Sequence, residues 1–101
     1  MATVVALVVF AVVGLFGTNA VPHFVRGVTG RRHMTPLGPD SSAVANVLWG
    51  SANALVAGSL AWTYRDAVEA STLAVAFLAG VALAVGLASY WSGEDPSLPW
   101  A

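Results

Sequence analysis

Apolar side chains run almost unbroken through residues 2–25, 43–64 and 67–91, and polar residues gather between these stretches and after the last. Each stretch reaches the roughly 20 residues, at about 1.5 Å apiece, that a hydrocarbon core of about 30 Å requires. Backbone N–H and C=O groups in lipid must be satisfied within the segment, which leaves helices as the form for isolated runs of this kind. The pattern predicts an all-α integral membrane protein with three transmembrane helices in a single membrane domain. Its expected parts are helix 2–26, loop 27–41, helix 42–64, helix 67–91 and tail 92–101. No Lys or Arg precedes Arg26, and the first apolar run is longer than the roughly 7–15 residues of a secretory signal, so that helix is expected to be retained.

The two connections differ in kind. Gly27, Gly30, Pro36, Gly38 and Pro39 break helical continuity, giving an expected irregular loop that ends at Asp40, Ser41 and Ser42, each able to cap the second helix. The second connection is short. Asp66 as N-cap with Glu69 at the third helical position would form a capping box, making helices two and three a tight antiparallel hairpin. Trp62 and Tyr64 at one end, and Tyr90 and Trp91 at the other, are placed as interfacial anchors.

Small residues recur every fourth position as Gly50, Ala54 and Gly58 on helix two, and as Ala76, Gly80, Ala84 and Ala88 on helix three. Such stripes allow close backbone approach, which is where helices gain contact energy in lipid. They are read as helix-packing positions, within one chain or between chains.

Polar residues inside the apolar runs are few. Asn19, His23 and Arg26 follow one face of helix one toward the first loop, and Asn46 and Asn53 share a face of helix two. Both helices meet that loop, so Asn46 should lie near the depth of His23, with Asn53 nearer Asn19. The expected result is a polar intramembrane cluster of Asn19, His23, Asn46 and Asn53. Pro22 cannot donate to the Thr18 carbonyl, which points to a helix kink there.

Charge then sets orientation. Of the four basic residues, Arg26, Arg31 and Arg32 lie in or beside the first connection, and Arg65 sits near Asp66 and Glu69 in the second. Retention of basic loops on the inner side places the first loop in the cytoplasm, the amino terminus outside and the carboxyl terminus inside a multi-pass plasma (inner) membrane protein. Arg26, Arg31 and Arg32 are also candidates for an anionic lipid head group or an acidic partner, since basic residues near a membrane gain roughly 1 kcal/mol each from anionic lipid.

Composition narrows the function classes. Charged residues make up 9% of the chain and hydrophobic ones 57%, against roughly 25% charged in soluble domains. The net charge of −1 gives no general attraction for nucleic acid. The absence of cysteine excludes disulfides and thiolate metal sites. No phosphate loop, HExxH or GxSxG pattern occurs, and the two histidines have no neighbouring carboxylate. The expectation is therefore a non-enzymatic chain with no catalytic residue, metal or cofactor.

The segment from Asn19 to Arg31, followed by Thr35-Pro36 and by Asn46-Val-Leu-Trp-Gly50, resembles a pattern in small bacterial three-span membrane proteins. The resemblance implies a signature of Asn19, Pro22, His23, Gly27, Gly30, Asn46, Trp49 and Gly50, and brings no activity with it. The function expected from the residues is helix association, as an accessory subunit of a larger membrane complex or as a homo-oligomer. The alternative is a small oligomeric channel or transporter with a path along Asn19, His23, Asn46 and Asn53. The bilayer, other membrane subunits or a second copy are the expected partners.

Overall fold

The computed structural model describes residues 2–93, so most of the tail expected at 92–101, with Glu94 and Asp95, lies outside the described residues. Three helices carry the fold: α1 (Val4–Val28), α2 (Ala43–Thr63) and α3 (Ala70–Ser92). With 25, 21 and 23 residues they are each long and apolar enough to cross a membrane, and α2 is the least apolar. Large apolar side chains such as Val4, Leu48, Leu55, Phe77 and Leu78 point outward, where lipid would meet them.

α1 is the axis of the molecule. It packs along both α2 and α3, whereas α2 and α3 barely meet. A Cβ on Gly50 would lie 2.8 Å from the Phe24 nitrogen and 2.9 Å from the Ala20 oxygen, and one on Gly27 would lie 2.6 Å from the Ala43 oxygen. Those pairings run in opposite directions, so α2 is antiparallel to α1. On the other face, Gly14 abuts the Ala76 backbone, and a Cβ on Gly80 would come 2.6 Å from Thr18 Oγ1. That register makes α3 parallel to α1. The expected tight hairpin of helices two and three is corrected accordingly: the two run in opposite directions, but each spends its close-approach positions on α1, whose glycines supply the matching grooves.

The interior is small and polar. Ala6, Phe10, Ala20 and Ala57 are the buried hydrophobic residues among those described, beside buried His23, Thr35, Asn46, Asn53, Thr72 and Ser89. Backbone approach and hydrogen bonds, rather than bulky apolar packing, join the helices, in keeping with a medium in which apolar surface gains little by leaving lipid.

The first connection is more ordered than its glycines and prolines suggest. α1 runs unbroken past Pro22 to Val28, two residues beyond the expected end, and closes in a Schellman arrangement. Arg31 N–H donates to the Arg26 carbonyl (2.8 Å), Gly30 N–H to the Gly27 carbonyl (3.0 Å), and Gly30 takes the left-handed φ of 77° that glycine tolerates. Strands β1 (His33–Thr35) and β2 (Gly38–Ser41) then form an antiparallel ribbon in place of the irregular loop. Its turn is held from inside: Thr35 Oγ1 accepts from Leu37 N (3.1 Å) and meets Ser41 Oγ at 2.6 Å, and Ser41 Oγ donates to the Gly38 carbonyl (3.0 Å). These side chains brace the short antiparallel pairing of His33 with Ser41 and of Thr35 with Gly38 across a turn where Pro36 and Pro39 have no N–H to donate.

Of the three candidate caps for α2, Ser42 serves, its Oγ accepting from Ala45 N at 3.1 Å. The cap of α3 lies three residues later than expected. Glu69 is the N-cap, not Asp66, and Thr72 completes the capping box by accepting from Glu69 N–H at 3.0 Å. Residues 65–67 form a 3₁₀ turn instead, and buried Thr72 donates to the Ala67 carbonyl (2.7 Å), tying turn to helix. Arg65 folds back with its guanidinium carbon 4.4 Å from the Trp62 ring centroid and its Nη1 donating to the Trp62 carbonyl at 2.9 Å.

Candidate functional site

The polar side chains of α1 and α2 meet in two pairs. Asn19 Nδ2 donates to Asn53 Oδ1 at 3.2 Å, and His23 Nδ1 lies 2.9 Å from Asn46 Oδ1. The deeper pair is Asn19–Asn53, and Asn53 Nδ2 also donates to the Trp49 carbonyl at 2.8 Å. In lipid an amide satisfied by a neighbouring helix is a tether, and each such interhelical bond contributes about 0.6 kcal/mol on average.

Asn46 is the most committed residue of the cluster. It is fully buried, and its Nδ2 is ringed by the carbonyls of His33 (2.8 Å), Ser42 (3.0 Å) and Ser41 (3.2 Å). Three acceptors around one nitrogen fix the orientation of the amide, which leaves Oδ1 facing His23 as an acceptor only. His23 must therefore carry its proton on Nδ1. In the neutral ring Nε2 is then the unprotonated nitrogen, left uncommitted by that bond. One side chain thus joins α1, α2 and the ribbon.

Beside this junction lies a cavity of about 830 Å³. α1 contributes Thr18, Asn19, Val21, Pro22, His23 and Arg26 to it, the ribbon contributes His33 and Thr35, α2 contributes Trp49, and α3 contributes Ala84, Leu87, Ala88 and Trp91. The cavity lies where α2 and α3 each pack on α1 and barely meet each other. The ring centroids of His33 and Trp91 stand 4.6 Å apart, and those of His33 and His23 5.3 Å apart. Partial burial lowers the pKa of His33, and the charges of Arg26 and His23 lower it further.

The arginines separate. Arg26 lines the cavity and has no acidic partner among the described residues. Arg32 turns away to the ribbon, its Nη1 donating to the Asp40 carbonyl (2.8 Å) with the Asp40 carboxylate at 3.9 Å, and Arg31 is exposed. The small-residue stripes divide in the same way. Gly50, Ala76 and Gly80 face α1, Ala84 reaches the cavity, and Ala54 and Gly58 are exposed, with nothing within 4 Å of a Cβ on Gly58.

Asn19, Pro22, His23, Arg26 and Ala84 of the cavity wall were named from the sequence, whereas the meeting of His33 with Trp91 there was not. His33 and Trp91 carry no periodic signal, being brought together from a loop and a helix end 58 positions apart by the parallel run of α3 on α1. The available clue was that both lie at the first-loop end of their spans. Among the described residues no group of three or more His, Asp or Glu side chains is placed to hold a metal ion. No family model, no curated protein and no solved structure matches the chain.

Proposed function

We propose that this chain is a non-enzymatic membrane subunit that works by helix association, binding a second copy or a larger membrane protein through the outer face of α2. The observation that carries the proposal is Ser51, Ala54 and Gly58, which share one face of α2 and are all exposed. Small and hydroxyl side chains gain little from lipid tails, yet they allow a second helix to approach closely and hydrogen bond. α2 is also the least apolar of the three spans, as suits a helix covered by protein.

In this reading the connection with Arg31 and Arg32 faces the cytoplasm, the amino terminus lies outside, and the plasma membrane is the site of action. The channel alternative has less support. Its four polar side chains are engaged with one another, and Asn46 and Asn53 are 0% and 3% exposed.

Energy transfer between two fluorophore-labelled copies in liposomes tests self-association, and co-purification from the native membrane tests a foreign partner. Gly58→Leu, with a side chain entering open space, should abolish whichever association is found while leaving the monomer fold intact. Association that survives both Gly58→Leu and Ala54→Leu would refute the proposed face.

A further inference from the structure

The cavity's lining is chemically one-sided. Among the described residues its charged and titratable groups are Arg26, His23 and His33, and no Asp or Glu of that set lines it. Arg26 has no counter-ion among the described residues, although a guanidinium at a membrane surface is well matched to a phosphate. The remaining wall is largely apolar, with Val21, Leu87, Ala88 and the rings of Trp49 and Trp91. Trp91 and the ribbon place the cationic end at the margin of the apolar spans, where a bilayer keeps its head groups. A volume of about 830 Å³ is within the range of sites for ligands of several hundred daltons.

We propose that this cavity binds an anionic phospholipid, its phosphate held by Arg26 with the two histidines beside it and an acyl chain lying along Val21, Leu87 and Ala88. Charge complementarity selects an anion, and the apolar wall between α2 and α3 selects an anion with a tail. The site is distinct from the Ser51–Gly58 face and does not depend on association there, but it does rest on the chain spanning a bilayer.

A linked consequence follows from His33. Among the described residues, Arg26 and His23 on α1 are the other charged or titratable groups lining the cavity, while α2 and α3 contribute uncharged side chains. Both neighbours oppose a proton on His33, and a bound phosphodiester would offset them. By linkage, lipid retention should strengthen as pH falls through the His33 transition.

The experiment uses the full chain carrying Trp62→Phe and Trp100→Phe, so that fluorescence reports Trp49 and Trp91, reconstituted in phosphatidylcholine liposomes. A minor fraction of the lipid is phosphatidylglycerol with brominated acyl chains or, in parallel, phosphatidylcholine brominated in the same way. The expected result is at least several-fold stronger quenching by the brominated anionic lipid. Arg26→Gln should remove that preference, Arg26→Lys should keep part of it, and Arg31→Gln should leave it unchanged. Ala88→Phe, which fills the cavity without altering charge, should also remove it, and this arm remains decisive if Arg26→Gln fails to fold. Equal quenching by the two lipids would overturn the proposal, as would an equal loss in Arg31→Gln, which would reveal diffuse surface charge. Displacement by millimolar inorganic phosphate would mark a free-anion site and overturn the lipid assignment.

Discussion

Asn46→Leu removes the one side chain that joins all three parts of the polar junction, and its cost can be set against that of Asn53→Leu on the same helix. Asn53 loses one interhelical bond, to Asn19, and a bond within its own helix, to the Trp49 carbonyl. The first is worth about 0.6 kcal/mol on average and up to about 1.7, so Asn53→Leu should cost about 1 kcal/mol. Asn46 loses a comparable bond to His23 and also strands the buried Nδ1–H of that ring, a penalty of about 1–3 kcal/mol. The Ser42 carbonyl keeps the Asn46 backbone N–H at 3.0 Å, so losses on the carbonyl side fall mainly on His33 and Ser41, which anchor the ribbon. The expected total is about 2–4 kcal/mol. Reversible unfolding in mixed micelles, followed by circular dichroism and tryptophan emission, measures both variants. A double-mutant cycle with His23→Leu should show the double variant losing clearly less than the sum, because removing both partners leaves no stranded donor. If Asn46→Leu costs no more than Asn53→Leu, or if the cycle is additive, the orientation assigned to the Asn46 amide and the tautomer of His23 are both wrong.

Other expectations follow from the same geometry. Gly14→Ala and Gly50→Ala, whose new methyls would press on the Ala76 backbone and on Phe24 and Ala20, should each cost about 1–3 kcal/mol in the same assay, whereas Gly86→Ala, with open space around it, should cost nothing measurable. His33 has a lowered folded pKa, so the unfolded chain takes up its proton first. Stability should therefore hold above the ordinary histidine value and fall as pH drops through that value toward the folded one, and unfolding curves should show a smaller acid loss in His33→Gln. Three spans place Ala2 and the end of α3 on opposite sides, so tags at the two termini should differ in accessibility in intact cells. Exchanging Arg31 and Arg32 for neutral residues should blur that difference.

The helices were legible because length and apolarity in a bilayer leave the backbone few alternatives. The meeting of Asn19 with Asn53 and of His23 with Asn46 could be anticipated from depth alone, since both helices start from the same loop. The choice of packing partner was not legible. Gly50, Ala54 and Gly58 share one spacing, and only the grooves at Ala20 and Phe24 on α1 decide that Gly50 is internal and Gly58 is not. The ribbon was hidden for a related reason: its strands are only three and four residues long and are braced by side-chain bonds of Thr35 and Ser41, which strand propensity does not register. The cap of α3 moved because Glu69 and Thr72 complete a reciprocal box, the Glu69 side chain accepting from the Thr72 N–H and Thr72 Oγ1 accepting from the Glu69 N–H, a pairing as short-range as the Asp66–Glu69 one and easily mistaken for it.

The chain contains no cysteine, so a single Gly58→Cys variant provides a direct probe of the outer α2 face in native membranes. With a short bifunctional thiol- and amine-reactive reagent or simple oxidation, the account predicts a discrete adduct, either a disulfide dimer of this chain or one defined larger complex, and none from Phe77→Cys, an exposed position on α3. Equal adduct yields at the two positions, or none at Gly58→Cys, would contradict association through Ser51, Ala54 and Gly58.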